Sequence, residues 1–418
     1  MKKISILTVG SRGDVEPFLA IAKGLKAVGY DVRLVTHPDF ISLAEKHNIK
    51  LTPIRMTAKD FVRKTMHPPE SNLFSFIRIA RGVLEPILDS VLPDMWLLSR
   101  DSDAIISSGT ALWGIEIAER LDVPHILAGL QPLYPTAEFP QVLAPSWFNL
   151  KGLPNRISYS VVSLAYWQIA SRSINKWRKE YLNLPERDEP FSEGRAWNEQ
   201  LHLLGYSDLV IPHPKDWGGN VYTTGYWRIA DCSSFVPSTE LAEFLENRVK
   251  PIYVGFGSMS YSDLSEIAQK VVRTLKQTGQ RAIISFKEKD LDGISLSPNI
   301  VNVDSIPHDW LFPRLAAAVH HGGAGTTGSV LTAGIPSATI PFFSEQPFWG
   351  NRIEKLGVGP QPILKENVSV ERLIYLFGNL VSNQAIKKRA SHIGRRLRKE
   401  NGLEAATKLI QEYIDVRQ

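Results

Sequence analysis

Residues 319–327 read VHHGGAGTT, and this stretch decides the class of fold. It follows Ala317–His320, a short apolar run typical of a buried strand, and it precedes a helical pattern that ends at Gly334. Small residues let a ligand approach the backbone closely, and a helix N-terminus offers free N–H groups and the positive end of a dipole. The stretch therefore predicts an anion site suited to a diphosphate at a strand-to-helix turn.

Glycine-rich turns of this kind also occur for purely structural reasons, and that interpretation stays open for the sequence alone. The turn lacks the Gly-Lys-Ser/Thr ending of a P-loop. The N-terminal loop offers only Gly10 and Gly13, so it does not match the G-x-G-x-x-G pattern of dinucleotide-binding proteins either. Both comparisons narrow the kind of phosphate site that the sequence can support.

The alternation of short apolar runs with helical patterns continues on both sides of this turn, which predicts parallel, doubly wound sheets. The expected strands are residues 4–9, 32–36, 104–107, 124–128, 251–256, 281–285, 300–303, 317–320 and 338–341. We therefore predict an α/β protein of two Rossmann-like domains that face each other across a cleft. The predicted parts are a first domain (1–213), a linker (214–235), a second domain (236–400) and a C-terminal helix (401–418) that could pack back on the first domain.

Size and composition are consistent with this organisation. The chain has 418 residues, which suits two domains, and one cysteine, Cys232, which excludes an internal disulfide. No apolar run approaches the length of a spanning helix, and MKKISILTVG at the start is interpreted as a strand rather than a signal peptide. We expect a cytoplasmic protein, with peripheral contact at the inner membrane face as an alternative.

Two further features leave alternatives open. The basic segment 387–399 is either a solvated helix face or a surface attracted to anionic lipid, and it lacks the stacking aromatics expected of a nucleic-acid partner. The apolar stretches 61–98 and 134–167 are either packed helices or walls of an apolar binding cleft, and the two interpretations are compatible.

A second motif follows the glycine-rich turn after another predicted strand. Residues 341–350 read PFFSEQPFWG, so Glu345 and Gln346 lie at the end of that strand and on the same edge of the sheet. A carboxylate beside a carboxamide offers acceptors and donors to vicinal hydroxyls, which suits a pyranose.

Taken together, Ser305–Pro360 closely resembles the donor-binding signature of the UDP-glycosyltransferase superfamily. The similarity is greatest to the branch of sterol glucosyltransferases and glycopeptide-antibiotic glycosyltransferases, and residues 10–37 and 216–227 resemble the same branch. The resemblance implies a GT-B fold and an inverting transfer of a hexose, with glucose favoured, from a UDP-sugar to a small hydrophobic acceptor. A sterol or a polyketide would be such an acceptor. The first domain (1–213) would bind the acceptor, and the second (236–400) would bind the nucleotide-sugar.

The resemblance also implies roles for individual donor-binding residues. The diphosphate would contact His321, Gly323, Ala324, Gly325, Thr326 and Ser258; the base would contact Ile306 and His308; the sugar would contact Glu345 and Gln346. Of the neighbouring histidines, His320 is expected to face away, because successive strand residues point to opposite sides. The family most often has Asp where this chain has Glu345, so the identity of the transferred sugar stays open. UDP and dTDP also both stay open as the nucleotide of the donor.

Asp14 is the predicted catalytic base, because the aspartate at the matching position has this role in the resembling branch. A hydroxyl acceptor must lose a proton as it attacks, and a carboxylate in the loop after the first strand, facing the cleft, can take it. The alternative is that Asp14 caps the following helix, and the two roles are compatible. Arg12 is expected either to face a phosphate or to pair with Asp14.

We predict no metal and no cofactor beyond the UDP-sugar co-substrate. The strings Asp101-Ser102-Asp103 and Asp290-Leu291-Asp292 resemble metal-binding motifs, but the first precedes a strand and the second lies in a polar turn, so both are interpreted as solvated turns. Competing functions are a membrane glycolipid synthase with a lipid acceptor and, in another class, a nucleotide-sugar epimerase or hydrolase or a non-catalytic binding protein.

Overall fold

The computed structural model describes residues 1–65, 73–144, 150–191, 195–229, 235–257, 264–304 and 306–416. The chain forms two compact units. The first unit comprises Met1–Asp208, Pro212–Ile229 and Asn401–Gln418, and the second comprises Leu209–Ile211 and Ala230–Glu400.

The first unit is built on a seven-stranded sheet with the order β3-β2-β1-β4-β5-β6-β7. Every pair of neighbouring strands in it is parallel. Its strands are β1 (Lys3–Leu7), β2 (Asp31–Thr36), β3 (Lys50–Pro53), β4 (Ala104–Ser108), β5 (His125–Gly129), β6 (Leu201–Leu204) and β7 (Val221–Thr223). Central strands such as β4 and β5 are buried along their whole length, which explains their continuous apolar runs.

Helices cover both faces of this sheet. They are α1 (Arg12–Ala27), α2 (Ile41–Lys46), α3 (Ala58–Thr65), α4 (Leu73–Ser99), α5 (Gly114–Leu121), α6 (Leu153–Trp177) and α7 (Arg195–Glu199). Helix α1 ends just before Gly29, whose φ of +96° lets the chain reverse into β2.

The second unit has a five-stranded parallel sheet with the order β10-β9-β8-β11-β12. Its strands are β8 (Ile252–Gly255), β9 (Ala282–Ser285), β10 (Ile300–Asn302), β11 (Ala317–His320) and β12 (Ser337–Thr339). Its helices are α8 (Thr239–Glu246), α9 (Leu264–Thr278), α10 (His308–Leu311), α11 (Ala324–Ala333), α12 (Gln346–Lys355), α13 (Val370–Ser382) and α14 (Gln384–Leu397).

After α14 the chain returns to the first unit as α15 (Gly402–Val416), which packs on α1. The two helices approach closely at Gly24, where an added Cβ would lie 2.5 Å from Thr407 Oγ1. Lys2 and Asp415 pair at 3.0 Å beside this contact. None of the helices among the described residues combines the length and apolar character needed to cross a lipid bilayer.

The α/β class and the parallel sheets are as predicted, whereas three short strands of the first sheet were missed. β3, β6 and β7 are edge-side strands of three or four residues, too short for a clear periodic signal. β7 lies inside the predicted linker 214–235, so the turn-rich interpretation of that segment was wrong for Val221–Thr223. This strand forms because it pairs with β6, a long-range contact that no local pattern shows.

The first apolar stretch, 61–98, contains a packed helix, as predicted. Helix α4 packs against α6. Among its described side chains, the fully buried apolar ones are Ile87, Leu88, Val91, Leu92 and Met95. In the second stretch, 134–167, the described residues before α6 are irregular, and α6 itself exposes an apolar face along its first turns.

Two buried histidines in the first sheet make the fold sensitive to acid. Burial lowers the pKa of His125 and of His202 from 6.5 to about 4. Below pH 6.5 the unfolded chain therefore binds protons that the folded chain does not, so stability is full above pH 6.5 and falls as the pH drops toward 4. Each histidine contributes ~3 kcal/mol across this window.

We expect the free energy of unfolding, measured by urea denaturation, to be lower at pH 5 than at pH 7.5. The variant His125→Gln, which cannot be protonated, should show a shallower dependence on pH. Equal free energies at the two pH values would contradict this account.

Candidate functional site

The turn between β11 and α11 is an open helix N-terminus. Gly323 is the N-cap residue, and no side chain of the described residues caps the helix there. The first intrahelical bond runs from Thr327 N to Gly323 O at 2.9 Å. The N–H groups of Ala324, Gly325 and Thr326 lie in the first turn, where a helix supplies no carbonyl partner. These N–H groups lie where the anion site is predicted, and the site itself stays a prediction.

Close packing explains why glycine occupies two positions of this turn. Gly322 has a φ of +96°, and a Cβ added there would lie 2.8 Å from the backbone oxygen of Gln346. A Cβ on Gly323 would lie 2.5 Å from Nε2 of His321. The glycine-rich turn therefore lies directly against the start of α12, so the structure brings the two donor motifs of the sequence together.

The neighbouring histidines of β11 have different surroundings. The His320 ring is fully buried, and its Nε2 lies 2.9 Å from Ser337 Oγ on β12. His321 lies between the turns at Gly257 and Gly323, and its buried Nδ1 has no hydrogen-bond partner within the described residues. Burial lowers the pKa of His321 to about 4, so its imidazole is neutral near pH 7 and can offer a ligand a hydrogen bond rather than a charge.

The second motif forms a tight loop after β12. Ser344 has a φ of +57°, a strained conformation for a residue with a Cβ, and the half-buried Glu345 follows it as the N-cap residue of α12. Gln346 is buried, and its Oε1 accepts hydrogen bonds from Phe342 N at 2.8 Å and Phe343 N at 3.4 Å. The carboxamide oxygen therefore holds the loop, and the amide nitrogen is the remaining polar group for a sugar.

The residues predicted to meet the base lie at the carboxyl end of β10. Ile306 and His308 are half-buried, and the His308 ring stacks on Phe312 at 4.4 Å with an interplanar angle of 14°. Ser258, the second predicted phosphate contact, lies outside the described residues. Gly257 before it has a φ of +77°, and an added Cβ would lie 3.2 Å from His321 Cε1. The turn after β8 therefore lies beside His321.

The basic segment 387–399 holds the far ends of the two helices of this site. Arg398 donates to Thr332 O at 2.6 Å, at the C-terminus of α11. Arg389 donates to Leu356 O at 3.1 Å, at the C-terminus of α12. Cations at helix C-termini satisfy the last carbonyls and stabilise the helix dipole. Part of this segment is therefore structural, which neither sequence interpretation anticipated.

Asp14 lies in the first unit, in the first turn of α1. Its Oδ2 accepts hydrogen bonds from Ser11 N at 2.8 Å and from Ser11 Oγ at 2.9 Å. Ser11 is the N-cap residue of α1, so Asp14 is not the N-cap that the alternative interpretation expected. Asp14 instead forms a capping box with Ser11 from the third helical position, which is compatible with a role in proton transfer. Arg12 pairs with Glu16 at 2.9 Å, a partner that was not among the two expected for it.

The loop that carries Asp14 is held by a histidine that the sequence analysis did not single out. His37 follows β2, and its Nε2 accepts a hydrogen bond from Gly10 N at 3.0 Å. The available signal was its position at the carboxyl end of a buried strand, next to the strand that leads into the Asp14 loop.

The two Asp-x-Asp strings have different environments. Asp101 pairs with Arg33 and Lys3, and the hydrogen bond from Arg33 lowers the pKa of the carboxyl to about 2. Asp103 accepts from Lys3 N at 2.7 Å at the amino end of β4.

The prediction of a solvated turn was wrong for Asp290, which is buried where a 3-10 turn packs on α9. Within the described ranges, no three His, Cys, Asp or Glu side chains are grouped as a metal site. Metal independence stays a prediction.

Two protein-family models match the chain. Residues 4–140 match the glycosyltransferase family 28 N-terminal domain. Residues 269–410 match the C-terminal domain of proteins like erythromycin biosynthesis protein CIII. The second match includes the β11–α11 turn, the loop before α12 and the arginines of α14.

Full-length relatives extend the similarity over nearly the whole chain. The chain is 34% identical to the sterol 3-beta-glucosyltransferase of Neosartorya fischeri, over 99% of this chain and 30% of that protein. The figures are the same for the enzyme of Emericella nidulans. The chain is thus similar to glycosyltransferases over nearly its whole length. The predicted superfamily is confirmed, and the chain spans about 30% of the length of these relatives.

Solved structures agree with this fold. The glycotransferase of kitacinnamycin matches with a TM-score of 0.73 at 18% identity, covering 99% of both chains. The glycosyltransferase VinC, in complex with dTDP, matches with a TM-score of 0.69 at 16% identity, also covering 99% of both chains. The predicted GT-B fold is therefore confirmed.

The close packing of Gly323 against His321 can be tested by the substitution Gly323→Ala, which adds one methyl group. Gly323 has a φ of −64°, which alanine tolerates, so Gly323→Ala should act only by displacing His321. We expect the Kd for UDP, measured by calorimetry, to rise about tenfold, the effect of ~1.4 kcal/mol.

Gly378→Ala is the matched control, because Gly378 is an exposed helical glycine with nothing within 4 Å of an added Cβ. An unchanged Kd in a folded Gly323→Ala protein would show that the position of His321 does not matter for the nucleotide.

Proposed function

We propose that this protein is an inverting glycosyltransferase that moves a hexose, with glucose favoured, from a UDP-sugar to a hydroxyl of a small hydrophobic acceptor. The observation that carries the proposal is the N-terminus of α11, which no side chain caps among the described residues. Nδ1 of buried His321 lies beside it, also without a hydrogen-bond partner in that part of the chain. This arrangement suits the diphosphate of a nucleotide-sugar. The sterol 3-beta-glucosyltransferase relatives support a sterol or a related natural product as acceptor.

The leaving group is a nucleoside diphosphate, whose charge grows as the glycosidic bond breaks. The N–H groups of Ala324, Gly325 and Thr326 and the dipole of α11 would stabilise that charge without a metal ion. His321 would add a hydrogen bond to a phosphate oxygen, and Ser258 would supply a second contact. Fixed donors of this kind need no reorganisation during the reaction.

The same edge of the sheet offers groups for the rest of the donor. Glu345 would accept from sugar hydroxyls, and the amide nitrogen of Gln346 would donate to one. Ile306 and His308 would contact the base, since the His308 ring is already held flat against Phe312. The structural match to a complex with dTDP shows only that the two folds are alike. The choice between UDP and dTDP as the donor nucleotide is therefore made by the experiment.

Asp14 would act as the general base. The acceptor hydroxyl gives its proton to the carboxylate while its oxygen attacks the anomeric carbon from the face opposite the diphosphate, which inverts the configuration. The hydrogen bonds from Ser11 N and Ser11 Oγ to Oδ2 fix the orientation of the carboxylate. A positioned base of this type contributes about 10²–10⁴-fold to the rate.

A donor and acceptor screen in EDTA tests the proposal. We expect glucose transfer from UDP-glucose to cholesterol or ergosterol, at a rate that EDTA does not reduce, with dTDP-glucose as the comparison donor. Loss of activity in EDTA would contradict metal independence. Hydrolysis or epimerisation of UDP-glucose without transfer to any acceptor would favour the competing enzyme class.

Asp14→Asn separates the base from the cap in the same assay. Asparagine keeps an oxygen that can accept from Ser11 N, so the melting temperature should change little, whereas transfer should fall about 10²-fold or more. UDP binding should be unchanged. A folded Asp14→Asn protein with wild-type turnover would eliminate Asp14 as the base.

A second candidate function is transfer to an acceptor that lies in a lipid bilayer. Helix α6 exposes Leu153, Ile157, Val161 and Leu164, whose exposed fractions are 69%, 49%, 59% and 51%. The spacing of four, four and three residues puts them on one face of the helix. Arg156 is exposed on the same turns and suits an anionic headgroup. This stripe is a second surface that favours membrane contact, in addition to the basic segment 387–399.

Vesicle sedimentation distinguishes the two acceptors. If α6 meets the bilayer, the protein should sediment with vesicles of phosphatidylcholine and phosphatidylserine, and the double variant Ile157→Ser with Val161→Ser should not. Tyr375→Ser, which removes an exposed aromatic ring from α13, is the control and should bind like the wild type. Absence of vesicle binding at low salt by the wild type would leave the dissolved acceptor as the sole candidate.

A further inference from the structure

In both loops that the proposed function uses, a glycine N–H donates a hydrogen bond to a buried histidine ring. In the first unit, Gly10 has a φ of +132°, and its N–H donates to Nε2 of His37 at 3.0 Å. In the second unit, Gly322 has a φ of +96°, and its N–H donates to Nδ1 of His320 at 3.1 Å. Both rings are fully buried. A buried N–H group needs a partner, and in each loop an imidazole nitrogen supplies it.

The other ring nitrogen identifies the tautomer at each position. Nδ1 of His37 lies 2.8 Å from Met56 O, which can only accept, so Nδ1 carries the proton and Nε2 accepts from Gly10. At His320 the roles are exchanged, because Nδ1 accepts from Gly322 and Nε2 donates to Ser337 Oγ. Each histidine is thus neutral, with one nitrogen anchored in the fold and the other on a loop.

The glycines that receive these hydrogen bonds touch the groups that the chemistry needs. A Cβ on Gly10 would lie 2.5 Å from Asp14 Oδ2, so the backbone at Gly10 determines where the carboxylate can lie. A Cβ on Gly322 would lie 2.8 Å from Gln346 O, and Gly323 follows as the N-cap residue of α11. A shift of either glycine would therefore move the proposed base or the phosphate turn.

We propose that His37 and His320 are paired positioning residues, one for the Asp14 loop and one for the phosphate turn. Each acts through its hydrogen bond from the glycine N–H and not through a ligand. The inference rests on the proposed function for the roles of the two loops, whereas the two hydrogen bonds themselves do not depend on it.

Two further observations support the assignment. Burial lowers the pKa of His37, against the opposing effects of the Met56 carbonyl and of Asp39, and the neutral ring can accept from Gly10. Burial, followed by the neighbouring His321 and His308, lowers the pKa of His320 well below its usual value. The two positions are also not equivalent in the fold, since His37 follows β2 whereas His320 ends the strand that enters its own loop.

The exchanged nitrogen roles provide a test by amide substitution. The glutamine carboxamide reaches about as far as Nε2 of histidine, and the asparagine carboxamide about as far as Nδ1. His37→Gln and His320→Asn should therefore keep the acceptor for the glycine N–H, whereas His37→Asn and His320→Gln should lose it. The preferred amide is opposite at the two positions, which general destabilisation of a buried site would not produce.

Three readouts separate the two loops. Hydrogen exchange, followed by mass spectrometry, should be faster in the peptide containing Gly10 for His37→Asn and in the peptide containing Gly322 for His320→Gln. His37→Asn should lower kcat about fivefold to tenfold with an unchanged KM for the UDP-sugar, and His320→Gln should raise the Kd for UDP by a similar factor. The two preserving variants should exchange and react like the wild type.

His125→Gln is the matched control. His125 is equally buried, but its nitrogens contact the side chains of Ser107 and Gln200 rather than a loop glycine, so stability should fall without a change at Gly10 or Gly322. If a disrupting variant does not fold, wild-type exchange in the preserving variant at that position still supports the proposal.

The proposal is overturned if asparagine and glutamine have the same effect at both positions, or if the preserving variants exchange as fast as the disrupting ones. Absence of sugar transfer and of UDP binding in the wild type would instead eliminate the proposed function. The exchange pattern would still decide whether the histidines hold the loops.

Discussion

Parallel strand pairing is the constraint on which the rest of this structure depends. In both sheets every strand among the described residues runs the same way, so all turns that follow the strands of a sheet collect at one edge. Most residues of the central strands are buried, so ligands of such sheets are expected at these edges. Residues from β8, β10, β11 and β12 therefore meet although up to about ninety positions separate them.

At that edge, the backbone supplies the polar groups that the proposed function uses. The N–H groups at the start of α11 are fixed donors, and the glycines at 322 and 323 let Gln346 and His321 approach the turn closely. The opposite ends of α11 and α12 are held by Arg398 and Arg389. Helix α11 is thus anchored at its C-terminus, while no side chain among the described residues caps its N-terminus.

Several buried histidines of this protein have neutral imidazole rings. His125 and His202 hold the first sheet, His37 and His320 hold loops, and His321 lies with an unpartnered nitrogen at the candidate phosphate site. In each case burial lowers the pKa, so the rings act by hydrogen bonding. A histidine in the sequence offers charge, donor and acceptor alike, and only its surroundings select among them.

The sequence by itself determined the fold class, the strand-to-helix turn at 319–327, the end of α11 at Gly334 and the grouping of the two donor motifs on one edge. These features follow from local periodicity, from turn chemistry and from the rule that parallel strands end together. Resemblance added the superfamily, which the family models and relatives confirm.

Only the tertiary structure decided how individual side chains are used. The oxygen of Gln346 holds its own loop, Arg12 pairs with Glu16, Asp290 is buried, and β7 forms inside a predicted linker. Only folding revealed His37 as the partner of Gly10. The physical reason is the same throughout: a hydrogen-bond partner or a buried position depends on residues that are distant in the chain, and local patterns carry no information about them.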